Sequence, residues 1–211
     1  MSYKTLTGAK TVEGSIRNWV NWDKAPATVL LADAEATIGQ KLRCKEMRTL
    51  VTGTIAIGAT SITLPSGFRG VKSLKLSGDY TNRIVMRDAS EFEDGLTYQT
   101  DGSLDTGTPS ACTLTGDSIL LNREADIEYN YRMHIMQTPT AMSTGNDTNF
   151  LSTVYPHMLR AACLYHANLH RKDMKEASKW QAIMSDAIQD ANVEADEVNS
   201  ASEYNMYWDS K

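Results

Sequence analysis

Hydrophobic positions change period twice along this chain, and the changes divide it into three. Over 28–47 and 156–198 apolar residues recur at three- and four-residue steps, the spacing of one helix face, while 50–138 alternates short apolar and polar runs between Gly, Ser, Thr and Asp turns. Residues 15–22 place Ile16, Trp19, Val20 and Trp22 on one helical face, with Ser15 as N-cap. Proline disfavours helix in the residue before it, so Asp23 to Pro26 interrupts the pattern. A second helix then runs from Ala27 to Met47, with Val29, Leu30, Ala34, Ile38, Leu42 and Met47 as its stripe. An antiparallel helix pair is the expected outcome.

From Leu50 the period is two. Ile55 and Ile57 alternate with Thr54, Ala56 and Gly58, and beyond a Gly58-Ala59 turn Ile62 and Leu64 alternate with Ser61 and Thr63, which predicts a hairpin pair ended by Pro65-Ser66-Gly67. Val71, Leu74 and Leu76 mark a further strand and Ile84 to Met86 another; residues 88–94 read as a turn or short helix. Residues 97–116, rich in Gly, Thr, Ser and Asp, read as loop or a thin exposed hairpin. The clearest strand spans Ile127 to Ile135, with Ile127, Tyr129, Tyr131, Met133 and Ile135 on one face and Glu128, Asn130, Arg132 and His134 on the other.

Pro156 suits the first turn of a helix, where its missing N–H costs nothing. Met158, Leu159, Ala162, Tyr165, Ala167 and Leu169 give that helix a broad apolar face. After a break near 171–173, Ala177, Trp180, Ile183, Met184, Ala187, Ile188 and Ala191 define a last helix. The predicted fold is α+β: an N-terminal helix pair and long C-terminal helices form a helical bundle carrying an inserted, mostly antiparallel β module. Its expected parts are 1–49 with 150–199 as bundle, 50–149 as the β module, and 200–211 as an extended C-terminal tail.

Composition is ordinary for a globular chain, 41% hydrophobic and 22% charged over 211 residues. A net charge of -5 excludes a protein whose main task is neutralising phosphates along nucleic acid. Cys44, Cys112 and Cys163 are odd in number and widely spaced, fitting neither a disulfide framework nor a zinc pattern. No stretch has the length of a signal core or a bilayer span, so the chain is expected to remain in the cytoplasm unless packed into a particle.

His166 and His170 lie four apart on a helix, as in the first part of a zinc-protease motif, but Ala167 stands where that motif has its glutamate and no third ligand is evident. GTIAIGAT has neither a P-loop lysine nor dinucleotide-fold glycines. No catalytic, cofactor-binding or metal-ligating residues are expected, and no enzyme. Two features stand out instead. Asp186, Asp190, Glu194, Asp196, Glu197 and Glu203 make the last helix acidic toward its C-terminus, where the macrodipole disfavours anions; this is either a solvated face or an electronegative surface that repels phosphates in a DNA passage. Tyr204, Met206, Tyr207 and Trp208 put interface-prone side chains in the tail, which reads equally as a docking peptide or as an arm folded back.

Residues 30–47, 62–68, 127–131 and 155–159 carry, in order, an acidic residue and a Leu-Arg pair (Glu35, Leu42, Arg43), a Leu-Pro step (Leu64, Pro65), a Tyr-rich strand (Tyr129, Tyr131) and a helix-opening proline (Pro156). In that order the chain resembles the head-to-tail adaptor or connector proteins of tailed bacteriophages, including the tail tubular protein A type. The resemblance implies a ring of roughly twelve identical subunits under the portal, closed by head-to-tail contacts around a channel through which DNA passes without specific binding. It also implies a portal protein and the next tail protein, or nozzle, as partners, with no membrane, and a place in the virion at the head-to-tail interface after synthesis in the host cytoplasm. In that setting Tyr204, Met206, Tyr207 and Trp208 would meet the portal or a neighbouring subunit, and Asp186, Asp190, Glu194 and Glu197 would face the channel. The competing expectation is another virion or surface module that binds a ligand through its strands and never meets a portal.

Overall fold

Alternating apolar residues at 129–137 form a strand whose Tyr131, Met133 and Ile135 are buried in the sheet interior. This strand, β7 (Tyr129–Gln137), pairs antiparallel with β1 (Arg48–Ile55) on one side and β3 (Phe68–Ser77) on the other. The computed structural model describes the backbone of residues 1–77 and 83–206, and side chains over 1–76 and 83–196. With β2 (Ser61–Thr63), β4 (Arg83–Met86), β5 (Ala111–Thr115) and β6 (Ser118–Leu121), the strands make one sheet in the order β1-β7-β3-β4-β5-β6-β2. The chain divides into two units, 1–47 with 138–211 and 48–137.

The predicted architecture is corrected here. The described residues form a mixed seven-stranded sheet nearly closed as a barrel, with seven helices and 39% helix, and not a helical bundle with an inserted antiparallel module. The curl follows from connectivity. β1 and β2 are consecutive yet occupy opposite edges of the sheet, so the short link between them has to bridge those edges. In that link Gly58 N–H donates to Ala125 O at 2.8 Å, and Ala125 and Leu121 donate to Ala59 and Thr60. The expected β1–β2 hairpin therefore does not form: β1 takes eight rungs with β7, and β2 pairs with β6. Gly53 permits the first pairing, since a Cβ there would lie 2.6 Å from the Tyr131 hydroxyl.

The sheet is mixed because β4 and β5 run parallel, the chain between them crossing over through α4 (Ala89–Asp94) and the loop that follows. Asp88 caps α4 by accepting from Glu91 N–H. β5 falls within the stretch expected to be loop or a thin exposed hairpin, and it pairs antiparallel with β6. Its Ala111, Cys112 and Thr113 are small enough to escape a hydrophobicity reading, yet all three are buried. Ile55, Ile62, Leu74, Ile84, Ile119, Leu121 and Met133 complete the interior.

In the other unit, α3 (Ala27–Lys41) packs on α6 (Pro156–His170), and α6 on α7 (Met174–Met206). Leu30, Leu31, Ala34 and Ile38 of α3, Met158, Leu159, Ala162 and Cys163 of α6, and Met184, Ile188 and Ala191 of α7 are all buried. α3 differs from expectation at both ends. Val29 is exposed while Leu31 is buried, and the helix stops at Lys41 rather than Met47. Asn192 of α7 accounts for that stop: its side chain accepts from Arg43 N–H at 2.7 Å and donates to Lys41 O at 3.2 Å, satisfying groups a further turn would have used. Residues 45–47 form a 3₁₀ turn instead.

The antiparallel N-terminal helix pair is also corrected. α1 (Tyr3–Leu6) and α2 (Ile16–Trp19) are single turns, and α2 packs on α6. The segment is held by Arg17, whose guanidinium donates to the carbonyls of Thr7, Gly8 and Ala25 at 2.7 to 3.0 Å. The one-turn α5 (Phe150–Thr153) precedes α6 behind a capping box formed by Asn149 and Ser152. Residues 200–206 continue α7, so that part of the expected extended tail is helical.

Candidate assembly surfaces

Helix α7 sorts its residues by period. Ala177, Met184, Ile188, Ala191 and Ala195 are buried, while Asp186, Asp190 and Glu194, at four-residue steps, share an exposed stripe. Ile183 and Val193 lie on the same side and are about half exposed. The Glu197 side chain lies outside the described residues, as do those of Tyr204 and Met206, and Tyr207 and Trp208 lie outside them entirely. Further back, Lys179 is paired with Glu176, so the exposed side of α7 begins mixed and becomes acidic.

Glu194 also borders a small cleft with Cys44, Lys45, Tyr155, Ala191 and Ala195. Burial pushes the Tyr155 hydroxyl well above its ordinary range, and the nearby Cys44, Glu46 and Glu194 push the same way. The phenol stays protonated and donates to Glu46 at 3.4 Å.

The histidine candidates are not brought together around a common centre. His166 Nε2 lies 2.9 Å from Thr37 Oγ1, with burial lowering its basicity against an opposing pull from Asp33, and His170 stacks near Trp22 at 5.4 Å between ring centroids. His134 and His157 are exposed. Among the described residues no group of His, Cys, Asp and Glu could hold a metal ion. All three cysteines are free and buried; burial pushes Cys112 to about 11, and burial with Glu46 pushes Cys44 to about 11. Cys163 moves up for the same reason, with Glu35 adding to it. These thiols are protonated packing groups at neutral pH.

Two arrangements escaped the sequence reading. Glu35, a buried carboxylate on α3, accepts from Met142 N–H at 3.1 and 3.2 Å and from Asn149 Nδ2 at 2.6 Å, tying the 138–149 loop to the helix. The sequence marked Glu35 only as the acidic residue of the second-helix motif, with nothing to show that it is buried. The second is on the sheet, where Arg132 of β7 stands opposite Lys75 of β3, and Lys75 opposite Arg83 of β4. All three side chains are exposed. Alternation assigns each to an outer face, but only the register makes them neighbours.

A family model described as SU10 adaptor protein matches residues 3–205, nearly the whole chain and both units. The chain belongs to the SU10 adaptor protein family. It is thereby a bacteriophage head-to-tail adaptor, a structural component of the virion that interacts with other head and tail proteins. The match does not extend to the tail tubular protein A type that the motifs suggested. No curated protein matches the chain. No helix among the described residues is long and apolar enough to cross a membrane.

Proposed function

We propose that this adaptor assembles as a closed ring beneath the portal, joins it to the next tail component, and leaves a central passage for DNA. The reading is structural rather than catalytic. It is carried by the family match over residues 3–205, which takes in the helical unit and the sheet unit together. An adaptor has to hold two dissimilar neighbours, and two units of different construction suit that task. A ring multiplies one modest subunit contact over every copy, so weak pairwise energies suffice.

The C-terminal end of α7 and the residues after it are the proposed portal-docking element, because Tyr204, Met206, Tyr207 and Trp208 are side chains of the kind that anchor interfaces. The test mixes the full chain with the portal protein of the same phage, followed by negative-stain imaging and native mass measurement. Rings seated on the portal are expected. A chain truncated after Val198 should lose affinity for portal by about a hundredfold, as removal of an aromatic hot spot does. Unchanged affinity rules out the docking role, and a monomer that ignores the portal rules out the ring.

A further inference from the structure

Three cations stand side by side across the outer face of the sheet. Arg132 faces Lys75 directly across the β7–β3 pair, and Lys75 faces Arg83 directly across β3–β4. All three are exposed, and none has an ion-pair partner among the described residues. On the far side Arg132 is opposite Thr52 of β1. The next registers bring Leu50, His134 and Ser73 into line, and Thr54, Asn130 and Ser77. No carboxylate occurs in these three rows. Like charges directly opposite across strands destabilise a sheet, and a chain of net charge -5 had acids available to intersperse. Among the described residues nothing compensates such a row, which suits it to an anionic surface outside the chain.

We infer that this face docks on the acidic stripe of α7 in a second copy of the chain. The inference rests on the ring reading and supplies its subunit contact. Complementarity commits it to that occupant. Asp186, Asp190 and Glu194 are exposed at steps of one helical turn, and they repel one another along α7 as the cations do across the sheet. Each surface is disfavoured alone and relieved by the other. The spacings also agree: neighbouring strands lie about 4.8 Å apart, so the three cations span about 10 Å, and three acids at four-residue steps span about 12 Å. Long, flexible Arg and Lys side chains absorb that difference. The two surfaces differ and belong to different units, so the contact is head-to-tail, the kind that closes a ring. It also turns Asp186 and Asp190 toward a neighbour rather than toward the channel.

The test reverses charge on one surface at a time in the full chain, assembled with the portal protein of the same phage. One variant carries Lys75→Glu and Arg83→Glu; the other carries Asp186→Lys and Asp190→Lys. Each alone should associate about a hundredfold more weakly or worse, since it sets like charges together. An equimolar mixture of the two should regain rings of alternating copies, and so should one chain carrying all four substitutions, which also demonstrates that both variants fold. Rings from either variant alone at unchanged affinity overturn the inference, as does failure of the mixture to assemble. If the sheet variant keeps its rings but loses binding to a short DNA duplex, the row serves nucleic acid and the inference falls while the ring stands. A wild-type chain that never forms rings, with or without portal, instead overturns the ring reading itself.

Discussion

The two units bury apolar cores in the same way and treat polar groups in opposite ways. Of the buried polar side chains among the described residues, Ser15, Glu35, Ser152 and Asn168 belong to the helical unit and only Thr113 to the sheet unit. The reason is where backbone groups find partners. Strand ladders satisfy most N–H and C=O groups of the sheet, whereas the irregular stretches 7–26 and 138–149 have no ladder and recruit Arg17, Asn146, Asn149 and Glu35 to supply donors and acceptors. Arg17 and Glu35 of the helical unit are thus spent internally, while its α7 acids Asp186, Asp190 and Glu194 and the sheet unit's Arg132, Lys75 and Arg83 face outward. Charge left uncompensated inside a fold is what a partner can use.

The sharpest way to break that contrast is to weaken the sheet core with no charge involved. Met133 is fully buried at the centre of the sheet interior, so Met133→Ala should cost about 2–5 kcal/mol, read from denaturant unfolding. A loss well under 1 kcal/mol would mean that the near-closed barrel does not depend on its apolar filling. Glu35→Ala tests the other side. It strands the buried Met142 amide and takes one of two acceptors from the half-buried Asn149 side chain, and should cost about 1–3 kcal/mol, with protease sensitivity gained first at 138–149.

Glu35 also gives the comparison a pH axis. Burial raises its carboxyl above the ordinary 4.5, against the lowering effect of its hydrogen bonds from Met142 and Asn149. A carboxyl whose folded pKa exceeds the unfolded one binds its proton more tightly when folded. Its contribution is therefore complete below the unfolded value and is lost as pH rises through the folded one. Relative to Glu35→Gln, the wild type should be more stable at pH near 4.5 than at pH 7, measured by paired denaturant titrations. The reverse slope would mean that the hydrogen bonds outweigh burial.

Much of the helical unit was legible because its signals are local. Ser15 caps α2, Pro156 opens α6, and most periodic residues, such as Met158, Leu159 and Ala162 of α6 and Ala177, Met184 and Ile188 of α7, face inward, whereas Leu169 and Ile183 are exposed. The sheet was legible strand by strand and not as a sheet. Periodicity located Tyr131, Met133 and Ile135 on one face, but pairing is decided by residues far apart, and the hairpin expected at Gly58-Ala59 lost to eight rungs between β1 and β7. The α3 stop depends on Asn192, and β5 on three small buried residues, neither of which periodicity weighs. The acids of α7 could be placed on one face by counting fours. The cations of the sheet could not be joined without the register.

Gly53→Ala probes that register with a smaller expected effect. The added methyl would meet the Tyr131 hydroxyl at 2.6 Å, and the ring is buried, so about 1–3 kcal/mol should be lost as β1 or the ring shifts. Because Tyr131 lies beside Arg132 on β7, a shift there should also weaken ring assembly if the sheet face is a contact. Tyr131→Phe in the same background removes the nearest atom and should recover part of the loss. Absence of any recovery would place the strain elsewhere in β1.

The smallest effect is expected at a local cap. Ser15 Oγ accepts from Asn18 N–H at 3.1 Å and donates to Ala9 O at 2.9 Å, so Ser15→Ala removes one cap and one of the two donors to the exposed Ala9 carbonyl, which keeps Val12 N–H. The cost should be about 1 kcal/mol, seen as a modest fall in the denaturant midpoint. The change touches no exposed charge and no strand, so assembly with portal should be unchanged once the protein is folded. A large assembly defect from Ser15→Ala would show that the N-terminal turns take part in contacts between subunits, and that the helical unit is not as self-contained as its buried polar groups indicate.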